Sequence, residues 1–443
     1  MPMGGTPQAS RELVMGLDFG TSCTKVVIAD REMKHAYAVP LVDATGVNCY
    51  LLPARLSQSR GEYTLADKGK AFTDLKLSLL ASPMDVAVCS RVCAFLALVI
   101  RSARAWLFTE HRDKYLNADI LWTLALGQPA DQATSQENKD LYMSLAKVAW
   151  FLAGQSGRLT TASVLETWRS RVGINLGDEL EIMVMPELAA QIHGFVSSSH
   201  FDARGSKIFL MVDVGAGTVD ASTFYVKKDA SGTASFSLFT NSVEAYGVAN
   251  LHRYRVGWWQ SQLRVKDGGQ AVADELEAIR LPTEYRGRFP DSFRSYLHGV
   301  SVHFSVGEKT PDEIFFDGVI SQVRGKVLYR AQQDNLLPKE SVQGIPLFLC
   351  GGGARHSFYS RIEEELKSTR GFRWLNAQRR DLVLPSGLIA PGVSRTEYDR
   401  LSVAFGLSQL TIGSFKQAEK LIPVVPVERA SDWTSNYVDK SAC

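Results

Sequence analysis

Two short runs hold the residues best suited to chemistry on phosphate: DFGTSCTK at 18–25 and DVGAGTVDAST at 213–223. Each starts with an aspartate at the end of an apolar, β-branched run. It then turns through glycine and hydroxyl residues into a second β-rich run, which predicts a hairpin with a phosphate-sized bend at its tip. Gly20, Gly215 and Gly217 carry no Cβ, so the chain around Ala216 and before Cys23 turns tightly and offers amide N–H groups to phosphate oxygens. Thr21, Ser22 and Thr218 add hydroxyl donors. Asp18 and Asp213 supply hard carboxylates that suit magnesium, held through its waters. Two such hairpins facing each other would clamp a triphosphate from both sides.

A third element is PLFLCGGGARHSFY at 346–359, an apolar strand opening onto Gly351, Gly352 and Gly353 and then a helix. Three glycines allow close approach to a flat ligand, and a helix N-terminus beyond them favours anions. The order of the three motifs resembles that of the actin, sugar-kinase and seventy-kilodalton heat-shock ATPase superfamily, over about 14–410. The D-x-G-x-G-T-x-D form of the second motif is most similar to the chaperones and bacterial actins. The resemblance implies a two-lobed α/β fold of duplicated ribonuclease-H-like domains, with ATP and Mg2+ in the cleft between them. The first two loops then hold phosphate and the third holds adenosine.

By the same resemblance, Asp213 and Thr218 orient the metal and the attacking water, and Asp220 helps hold the turn. Lys70 in LADKGKAF takes the place of the chaperones' catalytic lysine when Asp67 is laid on the aspartate before it. Arg355 takes the place of the guanidinium that stacks on adenine, with Gly353 replacing a small hydroxyl residue. The chaperones' hinge glutamate precedes a proline, a place occupied here by Met185. Glu187, after the proline, either serves from a neighbouring position or is a first-turn charge. The helix that grips the other adenosine face has no counterpart in 250–300, so adenine and guanine both stay open.

The elements needed to position these residues follow from pattern. Helices are expected over about 85–108 and 139–154 with a strand at 119–127 between them, then a strand turning into a helix over 181–195, which the resemblance implies is a hinge between lobes. DRLSVAFGLSQL at 399–410 resembles the family's second hinge helix. The chain therefore divides into a first lobe (1–195, with an inserted subdomain at about 36–118) and a second lobe (196–398, with an insert at about 245–305). The hinge helix and tail form the remainder (399–443). The Arg-, Tyr- and Trp-rich stretch at 250–300 reads either as a partner surface or as cover over a small core. KLIPVVPVER in the tail reads either as a docking linker or as a core strand.

Composition sets the class. A 443-residue chain with 45% hydrophobic and 22% charged residues has ample material for two cores. The net charge of +2 gives no indication of nucleic-acid binding. No uncharged apolar run reaches the roughly 18 residues of a membrane span, since CAFLALVI is stopped by Arg101. The first twelve residues lack the apolar core of a secretory signal and read as a short leader. Six scattered cysteines suit reduced thiols in a cytoplasm. The expectation is a chaperone-like ATPase without a substrate-binding domain, switching conformation on a protein partner. The alternative is a filament-forming actin of the plasmid-partitioning type. A small-molecule kinase would need a catalytic base that has no clear candidate at the hinge.

Overall fold

The computed structural model describes residues 10–129, 136–177, 180–196, 208–228, 234–265, 268–280, 289–337, 344–368 and 373–409. The tail with its KLIPVVPVER run, the leader and the EYRGR segment lie outside them.

The fold is α/β with mixed sheets. Strands β1 (Ser10–Phe19), β2 (Cys23–Asp30) and β3 (His35–Ala38) form an antiparallel meander, with a short β4 (Leu52–Pro53) on β2. Next come β5 (Leu56–Ser59), β6 (Glu62–Thr64) and β7 (Lys70–Phe72) in a separate small sheet. Helices α1 (Leu75–Ala81), α2 (Val86–Glu110) and α3 (Arg112–Tyr115) follow. The chain returns as β8 (Asp119–Gln128), parallel to β1, passes through α4 (Gln136–Gly154) and α5 (Thr161–Arg169), and enters β9 (Leu180–Pro186), parallel to β8. Helix α6 (Glu187–Val196) begins directly at its end.

The second sheet repeats this plan. Strands β10 (Ile208–Val214), β11 (Val219–Lys228) and β12 (Ala234–Glu244) form the antiparallel meander. They lead to α7 (Val248–Arg264), α8 (Gly269–Ile279), α9 (Pro311–Ser321), a π-helical stretch (Gln322–Tyr329) and α10 (Arg330–Gln333). Then come β13 (Pro346–Cys350) parallel to β10, α11 (Ser357–Ser368), β14 (Gln378–Arg380) parallel to β13, β15 (Leu388–Ile389) and α12 (Ser402–Ser408). The orders are β15-β3-β2-β1-β8-β9 and β12-β11-β10-β13-β14. Each central strand, β1 or β10, thus has an antiparallel neighbour on one side and a parallel one on the other. Both are runs of buried apolar residues, as a strand covered on two faces requires.

Two parts differ from the expected division. Helix α2 packs on α4, and its residues share one core with β1 and β8, so it covers the main sheet instead of belonging to an insert. Asp85 caps it by accepting from the Ala87 and Val88 amides. It is also long and apolar enough to cross a membrane by length and composition, with 61% of its apolar window buried inside the protein. The second difference is β15, which leaves the second half of the chain to pair with β3 at the edge of the first sheet.

Helices α6 and α12 cross between the sheets. Leu188, Ile192, Leu401, Ala404 and Phe405 share a core with Val27 of the first sheet and Phe209, Met211 and Phe348 of the second. The 250–300 stretch builds a small core of its own from Val256, Trp259, Leu263, Leu276 and Phe293. Arg255 is fully buried there, bound to Asp312 and to the Pro290 and Asp291 carbonyls. Its most conspicuous arginine and tryptophan are therefore core, which favours cover over partner surface among the described residues.

Candidate functional site

The hairpin tips after β1 and β10 face one another, and the loop after β13 joins them around a cavity of about 770 Å³. That size lies within the roughly 300–1,000 Å³ usual for small-molecule sites. The cavity is lined by Asp18, Gly20, Thr21, Ser22 and Cys23 from the first loop and by Asp213, Gly215, Ala216, Gly217, Thr218 and Asp220 from the second. The third contributes Gly351, Gly352, Gly353 and Arg355, and Glu187 enters from the start of α6.

The second loop is held by its carbonyls. Gly215 N–H donates to the Thr218 carbonyl at 2.9 Å, while the carbonyls of 217, 215 and 216 accept from the Gly247, Val248 and Ala249 amides. A Cβ at Gly247 would lie 2.4 Å from the Ala216 oxygen, so only glycine fits there. At Gly217 a Cβ would meet the Thr21 methyl at 3.0 Å and Leu77 at 3.3 Å, so the two loops and α1 touch. In the third loop, Gly351 has φ +85° and a Cβ there would come 2.2 Å from Asp213 Oδ1. Its glycine is required by the second loop's aspartate, where the sequence had suggested a ligand.

Cations and carboxylates pair across these elements. Lys25, opposite Asp18 in the hairpin register, donates to it at 2.9 Å. Lys76 of α1 donates to both oxygens of Glu187, at 2.6 and 2.8 Å, with its side chain 7% exposed. Burial pulls the Lys76 pKa down, but Glu187, Asp18 and Asp220 outweigh it and hold the amine charged. Burial pushes the Glu187 carboxyl up, assisted by Asp18 and opposed by Lys76. Asp213 is raised to about 6 by burial, with Asp18 and Asp399 adding to the shift and Lys25 and Gln191 opposing it. Arg355 forms a two-pronged pair with Asp399 and donates to the Thr396 carbonyl at 2.8 Å.

Lys70 is not part of this site. It is exposed on β7 with its amine 5.3 Å from the Phe72 ring centroid, and Asp67 is bound to Arg55. Two other lysines line the cleft, Lys25 and, six residues beyond Lys70, Lys76. The one sequence signal for Lys76 is a lysine on the apolar stripe of LKLSLLA, next to Leu75 and Leu79. Asp74, Arg253, Asp399 and Arg400 also line the cavity and carry no motif. Asp74 accepts from Arg253 at 3.2 Å, linking α1 to α7 across the mouth of the cleft.

Among the described residues no group of three or more His, Cys, Asp or Glu forms a direct metal cage. Asp18 and Asp213 in a polar cavity are instead a donor set for a hydrated magnesium ion, which keeps several waters and takes one or two carboxylates besides phosphate.

No family model and no curated protein matches this chain.

Proposed function

We propose that the cleft binds ATP and hydrolyses it to ADP and phosphate, and that the protein is a two-lobed, chaperone-like nucleotide switch acting on a protein partner. The observation that supports this best is the meeting of two topologically equivalent hairpins, ending in Asp18 and Asp213, above a buried Lys76–Glu187 pair. Backbone amides and hydroxyls of 20–23 and 215–218 would hold the phosphates. Asp18 and Asp213 would hold magnesium through water, and the ion would neutralise charge on the transferring phosphoryl group. Glu187, raised by its burial, is suited to orient the attacking water and draw its proton. Lys76 keeps Glu187 in place and supplies positive charge beside the reaction.

Phosphate release from magnesium ATP by purified protein tests this. Asp213→Ala is expected to abolish magnesium-dependent turnover, and Glu187→Gln to lower it by roughly 100-fold or more with ATP binding retained. Lys70→Ala is expected to leave the rate unchanged. An Asp213→Ala protein with turnover within a few-fold of wild type would remove the assignment, as would a wild type that does not bind ATP.

A further inference from the structure

The cations around the cleft are matched with carboxylates, with one exception. Lys25 is bound to Asp18, Lys76 to Glu187, Arg253 to Asp74 and Arg355 to Asp399. Arg400, just before α12, also lines the cavity, and among the described residues its guanidinium has no hydrogen bond or ion pair. It lies over the third loop, where a Cβ on Gly352 would be 3.5 Å from Nη2 and 3.7 Å from Nε. It is close enough to the first loop to interact with Cys23 and to repel Lys25. Burial draws its pKa below the ordinary arginine value and Arg355 repels it, while Cys23, Asp399 and Glu397 favour the charge from beyond bonding distance.

We propose that Arg400 is an anion-binding residue of the cleft, gripping the phosphate chain of the nucleotide between the first and third glycine loops. The inference rests on the nucleotide reading above. A guanidinium suits this place because its planar fork binds two phosphate oxygens at once. The neighbouring glycine, with no side chain, leaves the fork open to the cavity. Its fixed position just ahead of α12 also ties phosphate binding to the helix that crosses α6.

Titration calorimetry of the full chain with ADP, magnesium ATP and adenosine tests it, using wild type, Arg400→Leu and Arg400→Lys, with melting curves of each nucleotide-free protein. A charge-assisted bond predicts that Arg400→Leu weakens ADP and ATP by roughly 10- to 100-fold. Adenosine affinity should be unchanged and the lysine variant should recover part of the loss. The nucleotide-free leucine variant should melt no lower than wild type, since a partly buried guanidinium with no hydrogen bond or ion pair has been removed. Equal ADP affinity in wild type and Arg400→Leu, or an equal loss for adenosine, would overturn the assignment of Arg400 alone. A wild type that binds none of the three would remove the nucleotide reading and this inference with it.

Discussion

Asp213 carries a conflict between stability and chemistry. Its carboxyl holds a proton up to about pH 6 in the folded, metal-free protein, against a reference of 3.8. Between those values the folded state binds more protons than the unfolded one. The stability linked to this group is therefore fully present below the unfolded pKa and is lost as pH rises through about 6. Asp213→Asn removes the burden, so the metal-free variant should exceed wild type by up to roughly 3 kcal/mol at pH 7.5 and approach it near pH 4. Thermal melts across that range check this, and a variant less stable than wild type at pH 7.5 contradicts it. Magnesium affinity should fall on acidification below about 6, where the proton competes for the same oxygens. That the loop residues would gather around one cavity was legible in the sequence, because glycine, hydroxyl and carboxylate recur there at fixed spacing. Lys76 and Arg400 were not, since their neighbours Glu187 and Gly352 are joined to them only by the fold, and Lys70 was drawn from a few adjacent residues.

At the scale of elements, the crossing of α6 and α12 sets the position of both Glu187 and Arg400. A Cβ on Gly406 would lie 1.8 Å from the Ala190 carbonyl oxygen, and Gln191 donates to the Ser402 hydroxyl at 3.1 Å in the same crossing. Gly406→Ala must push the helices apart and should cost about 1–3 kcal/mol or more, with weaker nucleotide binding as a second effect. Gly257→Ala, at an exposed helical place with no atom within 4 Å of the new methyl, should instead gain up to about 1 kcal/mol. Chemical denaturation of the two variants separates crowding from helix propensity, and equal effects would refute the packing argument. The long elements were legible because α2, α4, β8 and the β9–α6 turn have strong apolar periodicity. Strand β7 and the π-helical stretch were not. The latter is held by tertiary bonds such as Gln322 to the Val219 and Ser242 carbonyls, which no local pattern encodes.

For the whole molecule, the distribution of contacts bears on how the proposed switch would move. The two sheets share an apolar core through α6 and α12, whereas across the cleft Gly217 lies about one methyl group from Thr21 and Leu77 and Arg253 pairs with Asp74. That pair is 25% and 30% exposed, and such ion pairs are worth about 0–1 kcal/mol. Opening at the mouth would therefore cost little while the core at α6 and α12 stays packed, which would make the crossing the hinge of the proposed switch and a bound phosphate chain the main tie between the hairpins. The echo of the first motif in the second revealed the repeated plan, but β15 returning to the first sheet could not be read from two residues of edge strand. Sedimentation velocity with magnesium ATP, with ADP and without nucleotide should find a particle that becomes more compact with ATP and does not grow. Rapidly sedimenting polymer formed only with ATP would instead make the protein a filament-forming actin. No nucleotide-dependent change in either shape or mass would leave ATP binding without a mechanical output and defeat the switch.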